Sequence, residues 1–300
     1  GLGDVYKRQA QDATFKIWNG KPYVVPDKPG RGVTAQELVD SVTPVILSTG
    51  ARVATIAITE IEPALTAAAA QKLGIVEKLS SFTQHFPYAP YRVTNIGRAA
   101  QYLDGTIVMP GATFSMNDTV HERTVANGYT TGFIIGPGGQ FREDLGGGVS
   151  TATTAVWTAA FFANMQRVEQ RAHSFWISRY RPGLEATVSW GSLDMRWRNP
   201  LKTAVLIKAY ITDTSITVSL YGTKTFDDVQ AISSPQRNIR PYATVYSTDP
   251  GCVAQDGVNG FDITVTRKVY KDHKVVASQD FVTNYAAGPH VICGKQPGTQ

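Results

Sequence analysis

The stretch that decides the fold is Asp144-Leu145-Gly146-Gly147-Gly148-Val149-Ser150-Thr151-Ala152-Thr153-Thr154, which continues directly into an apolar run over residues 155–162. Three consecutive glycines remove Cβ clashes, so backbone amides can converge on one point. The segment that follows is apolar on nearly every face. It therefore predicts a buried helix over residues 151–165, with Ser150 or Thr151 as its N-cap.

A glycine turn that feeds a helix N-terminus has two interpretations. Unpaired N–H groups and the positive end of the helix dipole meet there, which suits an anion or the oxyanion of acyl transfer. In that case the amides of Gly147 and Gly148 are the donors. A tight strand-to-helix turn also needs glycines for steric reasons alone. Taken by itself the motif favours the steric interpretation, because a motif without structural context is only a hypothesis.

The composition predicts a globular protein with more than one domain and an α+β fold. The chain has 300 residues, of which 42% are apolar and 18% are charged, with abundant glycine and tyrosine. A net charge of +5 permits an acidic partner such as a wall polymer, a membrane surface or nucleic acid. No nucleic-acid-binding motif accompanies the charge, so we expect no nucleic-acid partner.

The two cysteines, Cys252 and Cys293, both lie in the last fifty residues and flank strand-like segments. We predict a disulfide that closes a loop of about forty residues and stabilises the fold by about 3–4 kcal/mol in the chain-entropy model. Such a bridge indicates an oxidising, extracytoplasmic compartment. The alternative is two unrelated buried thiols. The cysteines and the five histidines show no ligand spacing, so we expect no metal and no cofactor.

The chain shows neither a membrane span nor a signal peptide. No apolar run approaches the roughly eighteen residues that a span requires. Residues 1–10 begin without Met and have no apolar centre, so we predict a non-native leader there. We expect the native N-terminus, with any anchor, to be missing, and membrane association to depend on such an anchor.

Composition shifts and turn signals predict three further segments. Residues 11–86 form a small α+β module, with a hairpin at Asn19-Gly20, a helix capped by Thr34 and a buried strand over 51–58. Residues 87–223 form a mixed domain that begins with a helix over 94–103 and contains the glycine turn. Residues 224–300 form a β-rich tail, attached by a linker over 227–240.

Six short blocks within residues 87–223 form a pattern when taken together. They are Thr94-Asn95-Ile96, Met109-Pro110-Gly111-Ala112-Thr113-Phe114-Ser115-Met116-Asn117, Gly128-Tyr129, Gly146-Gly147-Gly148-Val149-Ser150, Arg171-Ala172-His173-Ser174 and Gly183-Leu184-Glu185-Ala186-Thr187-Val188. In this order and rough spacing the blocks resemble the VanW-like family. The segment before them resembles a peptidoglycan-binding module that often precedes this domain, and the tail is similar to wall-associated β modules.

The resemblance implies a role at the cell wall, because the family is named from glycopeptide-resistance gene clusters. Some members are described as L,D-transpeptidases that use a cysteine directly after the triple glycine. In this chain that position is Ser150. A thiol at a helix N-terminus is partly ionised near neutral pH, whereas a serine hydroxyl needs a general base. His173 falls in a matching block and is the candidate base; the alternative is a structural histidine between strands.

Basic and acidic side chains surround these candidate catalytic residues in the sequence. Arg171, Arg179 and Arg181 are predicted to bind carboxylates of stem peptides, since guanidinium groups pair with carboxylates in a two-point geometry. They could equally form a solvated strand face. Glu185 and Asp194 either orient a histidine or pair with neighbouring arginines, and base rates for charged groups favour the arginines.

The sequence thus predicts an extracytoplasmic, wall-associated protein that binds peptidoglycan stem peptides or an anionic wall polymer. The alternative is an acyl-transfer enzyme of L,D-transpeptidase type, with Ser150 as nucleophile, His173 as base and the Gly147 and Gly148 amides as oxyanion donors. The serine at the family's cysteine position favours the binding function.

Overall fold

The computed structural model describes residues 8–50 and 52–297, and the chain divides into two compact units. The first unit ends at Gly74 and the second begins at Ile75. Residues 1–7 of the predicted leader lie outside the described residues. The units divide earlier in the chain than the predicted boundary after Phe86, because the strand over residues 77–85 pairs within the second unit.

The first unit contains two short antiparallel strand pairs and two helices. The predicted hairpin is confirmed, since β1 pairs with β2 across Asn19 and Gly20, which both have positive φ. Strand β3 pairs with β4. The elements are β1 Thr14–Trp18, β2 Lys21–Val25, β3 Gly30–Gly32, α1 Ala35–Ile46, β4 Thr59–Ile61 and α2 Ala67–Lys72.

Helix α1 begins as predicted, but the strand predicted after it does not form. The Thr34 side chain accepts a hydrogen bond from the Glu37 amide, and the Glu37 carboxylate accepts one from the Thr34 amide, which completes a capping box. Residues 52–58 are irregular and mostly exposed, so the predicted buried strand is wrong; Ala51 lies outside the described residues. These apolar residues have no partner strand, and pairing resumes only where β4 meets β3.

The second unit is built on antiparallel sheets with three helices against them. The helices are α3 Pro90–Leu103, α4 Met116–Val120 and α5 Val149–Phe162. The strands are β5 Glu77–His85, β6 Ile107–Val108, β7 Thr113–Ser115, β8 Thr131–Ile135, β9 Phe141–Leu145, β10 Gln166–Glu169, β11 Arg196–Arg198, β12 Val205–Thr212, β13 Ser215–Gly222, β14 Asp228–Ser233, β15 Arg237–Arg240, β16 Thr244–Ser247, β17 Gly260–Lys271, β18 Lys274–Tyr285 and β19 His290–Cys293.

The second unit contains a four-stranded antiparallel sheet in the order β5-β13-β12-β6, on which two of its helices pack. Helix α5 packs against β5 and β13, while α3 packs against β12. A three-stranded sheet, β10-β11-β7, and the hairpin β8-β9 flank the helices. The hairpin β8-β9 ends at the glycine turn, which we define as Gly146–Gly148, and the turn leads directly into α5.

Helix α5 is buried along almost its whole length, as its composition predicts. It begins at Val149, two residues earlier than predicted, and its N-cap is Gly148 in a left-handed conformation with φ 92°. The predicted caps Ser150 and Thr151 are therefore wrong, because both residues lie inside the first turn. The Ser150 hydroxyl bonds to Thr187 instead, at 2.8 Å.

Helix α3 begins at Pro90, one turn before the predicted start at Thr94. Proline at the first helical position lacks an N–H that the helix could not use there, which explains the earlier start. The Thr94 hydroxyl donates to the Pro90 carbonyl within the helix, at 3.1 Å.

The β-rich tail is not separate from the mixed domain but part of the same compact unit. Phe281 of β18 packs against Trp157 and Phe161 of α5. Strands β17 and β18 form an antiparallel hairpin. The predicted linker over 227–240 is wrong. Strands β14 and β15 lie within that segment and both pair with β17; their polar, proline-bearing sequence suits an outer strand position.

The predicted disulfide is confirmed, with the Cα atoms of Cys252 and Cys293 5.8 Å apart. It joins the loop after β16 to the end of β19, and these two strands also pair in parallel. The bridge therefore closes the C-terminal segment of the second unit.

Candidate functional site

An open cavity of about 800 Å³ lies in the second unit at the N-terminus of α5. We call it the arginine cavity, because four arginines line it together with both candidate catalytic residues and two residues of the glycine turn, Gly146 and Gly148, whereas the predicted donor Gly147 is not part of the lining. Aromatic and aliphatic side chains complete its walls. The lining residues that later paragraphs use are Arg92, Glu122, Arg123, Asp144, Gly146, Gly148, Ser150, Arg171, His173, Arg179, Tyr180 and Thr187.

Close packing explains why the turn consists of glycines. A Cβ at Gly147 would collide with the backbone of Gly132 in β8, and one at Gly146 would collide with the Arg123 side chain. Gly146 and Gly148 also have positive φ, at 78° and 92°. The buried Asn95 of α3 donates to the Gly147 carbonyl at 2.9 Å, which anchors the turn. The steric interpretation of the triple glycine is therefore correct.

The same turn also leaves backbone donors free at the start of α5. Within the described residues, the amides of Gly147, Gly148 and Ser150 donate no hydrogen bond to another backbone group. No side chain caps the helix either. Unpaired N–H groups at the positive end of a helix dipole favour a negatively charged group. The steric and anion-binding interpretations are thus compatible.

Four arginines from three parts of the second unit contribute positive charge to this cavity. Arg92 comes from α3, where its side chain passes beside Gly148. Arg123 follows α4, and Arg171 and Arg179 lie in the segment after β10. The acidic residues lining the cavity, Glu122 and Asp144, are fewer, so the cavity favours anionic ligands.

A polar network holds Arg123 in place. Its guanidinium donates to the Asn117 side-chain oxygen at 2.6 Å and to the His121 carbonyl at 2.8 Å. Asn117 is in turn fixed by its amide hydrogen bond to Asp194, at 2.9 Å. Burial lowers the pKa of Arg123 from its ordinary value, and nearby Tyr129 and Asp194 oppose that shift. Arg123 is thus a partly desolvated cation, which interacts more strongly with an anion than an exposed one.

His173 is paired with Glu185, a partner that the sequence did not favour. Its Nδ1 lies against Oε2 of Glu185, and both side chains are buried. The His173 ring also stacks on Tyr180, with centroids 5.2 Å apart and planes 6° apart. The expectation that Glu185 pairs with an arginine is wrong, because the segment that carries Glu185 turns it into the interior. Asp194 accepts from Ser115 at 2.5 Å and lies 3.9 Å from Arg196.

Ser150 and His173 line the same cavity but are not hydrogen-bonded to each other. The Ser150 hydroxyl pairs with the Thr187 hydroxyl, and the adjacent Thr151 hydroxyl pairs with Tyr180 at 3.0 Å. Within the described residues, Nε2 of His173 makes no hydrogen bond. A general base must reach the proton that it removes, so this arrangement brings the two residues together without completing a nucleophile–base pair.

The other predicted ligand residues divide into two groups. Arg171 and Arg179 line the cavity, and the guanidinium of Arg179 lies over the Tyr180 ring. Arg181 does not line it and instead donates to the Ala231 carbonyl at 3.0 Å. Sequence reasoning missed Arg92 and Arg123, which lie far from the glycine turn in the chain. The polar segment around Arg123 was the only available signal, and it also fits a solvated turn.

Two further observations bear on ligands and membranes. Among residues 8–50 and 52–297, no group of three or more His, Cys, Asp or Glu side chains is arranged to hold a metal ion. In the same part of the chain, none of the helices combines the length and apolar character needed to cross a bilayer.

Comparison with known proteins gives a family for the central part of the chain. Residues 91–221 match the model of a family described as VanW like protein. A relative from Bacillus subtilis strain 168, described as uncharacterized protein YoaR, is 34% identical over 131 residues. That alignment covers 44% of this chain and 43% of the relative, so the chain spans less than half of the relative's length. No solved structure matches the chain. Residues 91–221, which hold the glycine turn, the four arginines, Ser150, His173 and Glu185, are thus similar to the VanW-like family and are called the VanW-like domain below.

Proposed function

We propose that the VanW-like domain binds peptidoglycan stem peptides, or an anionic wall polymer, in the arginine cavity. The observation that carries the proposal is that four arginines line the same cavity as the uncapped N-terminus of α5. Stem peptides present free carboxylates along an extended chain. A ligand carboxylate can accept from the free amides of the glycine turn while an arginine pairs with it or with a second carboxylate.

The same proposal locates the protein outside the cytoplasm. The Cys252–Cys293 disulfide closes the C-terminal segment, and structural disulfides persist in oxidising compartments. A wall ligand would be accessible there. In this proposal the first unit is a second wall-binding module, as its sequence resemblance implies.

Retention of the purified protein on peptidoglycan sacculi tests the proposal. We expect the protein to co-sediment with sacculi and the retained fraction to fall as salt rises, because exposed charge contacts are screened. The double variant Arg171→Gln, Arg179→Gln should weaken binding by about tenfold or more, since hydrogen bonds to charged groups contribute about 1.5–3 kcal/mol.

The chain offers a matched control for this test. Arg181 belongs to the same segment but lies outside the cavity lining, so Arg181→Gln removes a similar charge without touching the site. We expect it to retain sacculi binding close to that of the unmodified protein. Equal losses in both variants would indicate non-specific attraction by net charge and would contradict binding in the cavity.

A second function, acyl transfer, is favoured by one specific observation, the pairing of His173 with Glu185. A carboxylate that holds Nδ1 leaves Nε2 as the basic nitrogen of the imidazole. In this reaction Ser150 Oγ would attack a stem-peptide carbonyl, and Nε2 would take the hydroxyl proton and return it to the leaving amine. An acceptor amine would then displace the acyl group from Ser150. Because Ser150 is bonded to Thr187, its side chain must first rotate towards His173.

Replacing Ser150 by cysteine separates the two functions. In Ser150→Cys the thiol lies beside free amides and a helix N-terminus, which favour its thiolate. If the unmodified protein only binds ligand, the variant should gain reactivity towards iodoacetamide while the parent transfers no acyl group. Turnover of a tetrapeptide stem by the unmodified protein, abolished in Ser150→Ala, would establish the enzyme and contradict a purely binding function.

A further inference from the structure

The C-terminal hairpin, which we define as β17–β18, extends behind His173 although it lies outside the VanW-like match. Tyr285, the last residue of β18, is fully buried, and its hydroxyl accepts a hydrogen bond from the Gly183 amide at 3.0 Å. The next residue, Ala286, donates its amide to the carbonyl of Ser174 at 2.8 Å. The hairpin is therefore hydrogen-bonded both to the neighbour of His173 and to the segment that precedes Glu185.

Gly183 shows how closely this hairpin approaches the site. Its φ is +77°, and a Cβ there would collide with the Val265 side chain of β17. Any residue other than glycine would push the Gly183–Glu185 segment away from the hairpin. The close approach of this segment to the hairpin therefore depends on glycine at position 183.

Within the described residues, one carboxylate oxygen of Glu185 lacks a hydrogen-bond donor, and the Tyr285 hydroxyl can still donate its proton. Oε2 of Glu185 lies against Nδ1 of His173, whereas Oε1 is buried and makes no hydrogen bond within the described residues. The Tyr285 hydroxyl already accepts from Gly183, so its proton remains available for donation. Burial, and then the neighbouring Glu185 carboxylate, hold the pKa of Tyr285 above its ordinary value, so the phenol remains a neutral donor.

We propose that Tyr285 and Glu185 are positioning residues for His173. The Tyr285 hydroxyl donates to Oε1 of Glu185, Oε2 accepts the Nδ1 proton of His173, and unprotonated Nε2 is presented to the arginine cavity. The inference rests on the proposed function only in taking that cavity as the ligand site. In this proposal the C-terminal hairpin contributes a residue to the site around His173 and is not a separate module.

This arrangement gives the buried carboxylate a function. An unpaired acceptor in the interior costs free energy, and a donor that restores the missing hydrogen bond also restricts the carboxylate to one orientation. The carboxylate then selects one tautomer of the imidazole, as carboxylates behind functional histidines do. Stacking on Tyr180 holds the plane of the ring, so both its orientation and its protonated nitrogen are set.

The test is the tautomer of His173 in the full chain, read from the ring nitrogen shifts of ¹⁵N-histidine-labelled protein. The His173 signals are assigned from their loss in His173→Gln. In the neutral imidazole we expect a protonated Nδ1 and an unprotonated Nε2. In Tyr285→Phe the separation between the two shifts should shrink as the second tautomer becomes populated. Tyr270→Phe removes a hydroxyl from the opposite end of the same hairpin and should leave the His173 signals unchanged.

A proton on Nε2 in the unmodified protein, or identical His173 shifts in Tyr285→Phe, would overturn the inference. If Tyr285→Phe does not fold, Glu185→Gln replaces it, and the tautomer of the unmodified protein decides by itself. No ligand is present in this experiment. The expected tautomer without sacculi binding would contradict the proposed function alone, and sacculi binding with the wrong tautomer would contradict the positioning role alone.

Discussion

Helices α1 and α5 form by opposite means. Helix α1 carries the sequence signals of a helix start, a Thr34–Glu37 capping box, yet none of its residues is buried. Helix α5 has no side-chain cap at its N-terminus and is buried along most of its length. Its C-terminal end is capped from a distance, since Arg267 of β17 donates to the Phe161 carbonyl at 3.4 Å. Local hydrogen bonds define one helix and distant packing defines the other.

This difference in capping between α1 and α5 indicates where a binding site can form. A helix that caps itself leaves fewer free donors for a ligand, whereas a helix held by its surroundings can keep its first amides unpaired. The cost of those unpaired amides is offset by burial elsewhere along α5. We therefore expect substitutions in the two helices to differ sharply in their effects, and the predictions below test that contrast.

The largest expected change in stability comes from removing a side chain that is packed in the core around α5. Trp157 of α5 is fully buried against Phe161 and Phe281. Trp157→Ala should lower the free energy of unfolding of the second unit by about 3–5 kcal/mol. This loss of unfolding free energy should lie near the lower end of that range, because the buried indole N–H of Trp157 has no hydrogen-bond partner among the described residues and its removal breaks no hydrogen bond.

The matched variant is Leu38→Ala in α1, where the side chain is 46% exposed. Its effect should stay within about 0.5 kcal/mol, as at other surface positions. Chemical denaturation followed by circular dichroism measures both. Similar losses in the two variants would show that α1 is buried in solution and would remove the contrast.

The second effect is a pH dependence of stability, and it concerns the C-terminal end of α4, which is capped by a residue from another segment. The buried Tyr129 donates its hydroxyl to the Val120 carbonyl at the end of α4, at 2.7 Å, and burial raises the pKa of Tyr129 to about 12. The ordinary tyrosine value is about 10, so between these values the unfolded chain ionises first. Unfolding then releases a proton, and stability falls as pH rises from about 10 to 12, by on the order of 2 kcal/mol.

The measurement compares unfolding free energies of the unmodified protein and Tyr129→Phe over that pH range. Near neutral pH the variant should be less stable, because the Val120 carbonyl loses its donor. The difference should shrink towards pH 12, since only the unmodified protein pays for the buried ionisable phenol. Tyr88→Phe, at an exposed position, is the control. A constant difference at all pH values would contradict the burial of Tyr129.

The smallest effect is the loss of the local cap. Thr34→Ala should destabilise the first unit by about 1 kcal/mol, the usual cost of removing a threonine N-cap. The Thr34 backbone hydrogen bond lowers the pKa of Glu37 from its ordinary value, so the Glu37 half of the capping box stabilises at neutral pH and is lost as pH falls below the ordinary glutamate value through the lowered one. Thr43→Ala inside the same helix should cause no loss, because alanine has the higher helix propensity. Equal effects at both positions would contradict capping.

The same contrast explains what the sequence could and could not predict. Local signals succeeded at the Asn19-Gly20 hairpin, at the start of α1 and in the burial of α5, because each depends on neighbouring residues. The N-cap of α5 was wrong because Thr187, distant in sequence, takes the Ser150 hydroxyl. The strand predicted over 51–58 had the right composition and lacked a partner strand.

For the candidate site, the family blocks brought Ser150 and His173 to one cavity but could not give their partners. The pairing of His173 with Glu185, and the contributions of Arg92 and Arg123, require the fold, because the residues come from separate elements. Charge patterns along the chain do not distinguish Arg179, which lines the cavity, from Arg181, which does not. The roles of these residues in binding or catalysis stay predictions.

The measurement that tests the central claim most directly is a titration of the ¹⁵N-labelled protein with a soluble disaccharide-tetrapeptide. The account predicts that the amide signals of Gly147, Gly148 and Ser150 shift progressively with ligand, and that Arg171→Gln, Arg179→Gln weakens the response while Arg181→Gln does not. Shifts confined to the first unit, or unchanged signals of the glycine turn at saturating ligand, would contradict the claim that the free amides at the start of α5 form the binding site.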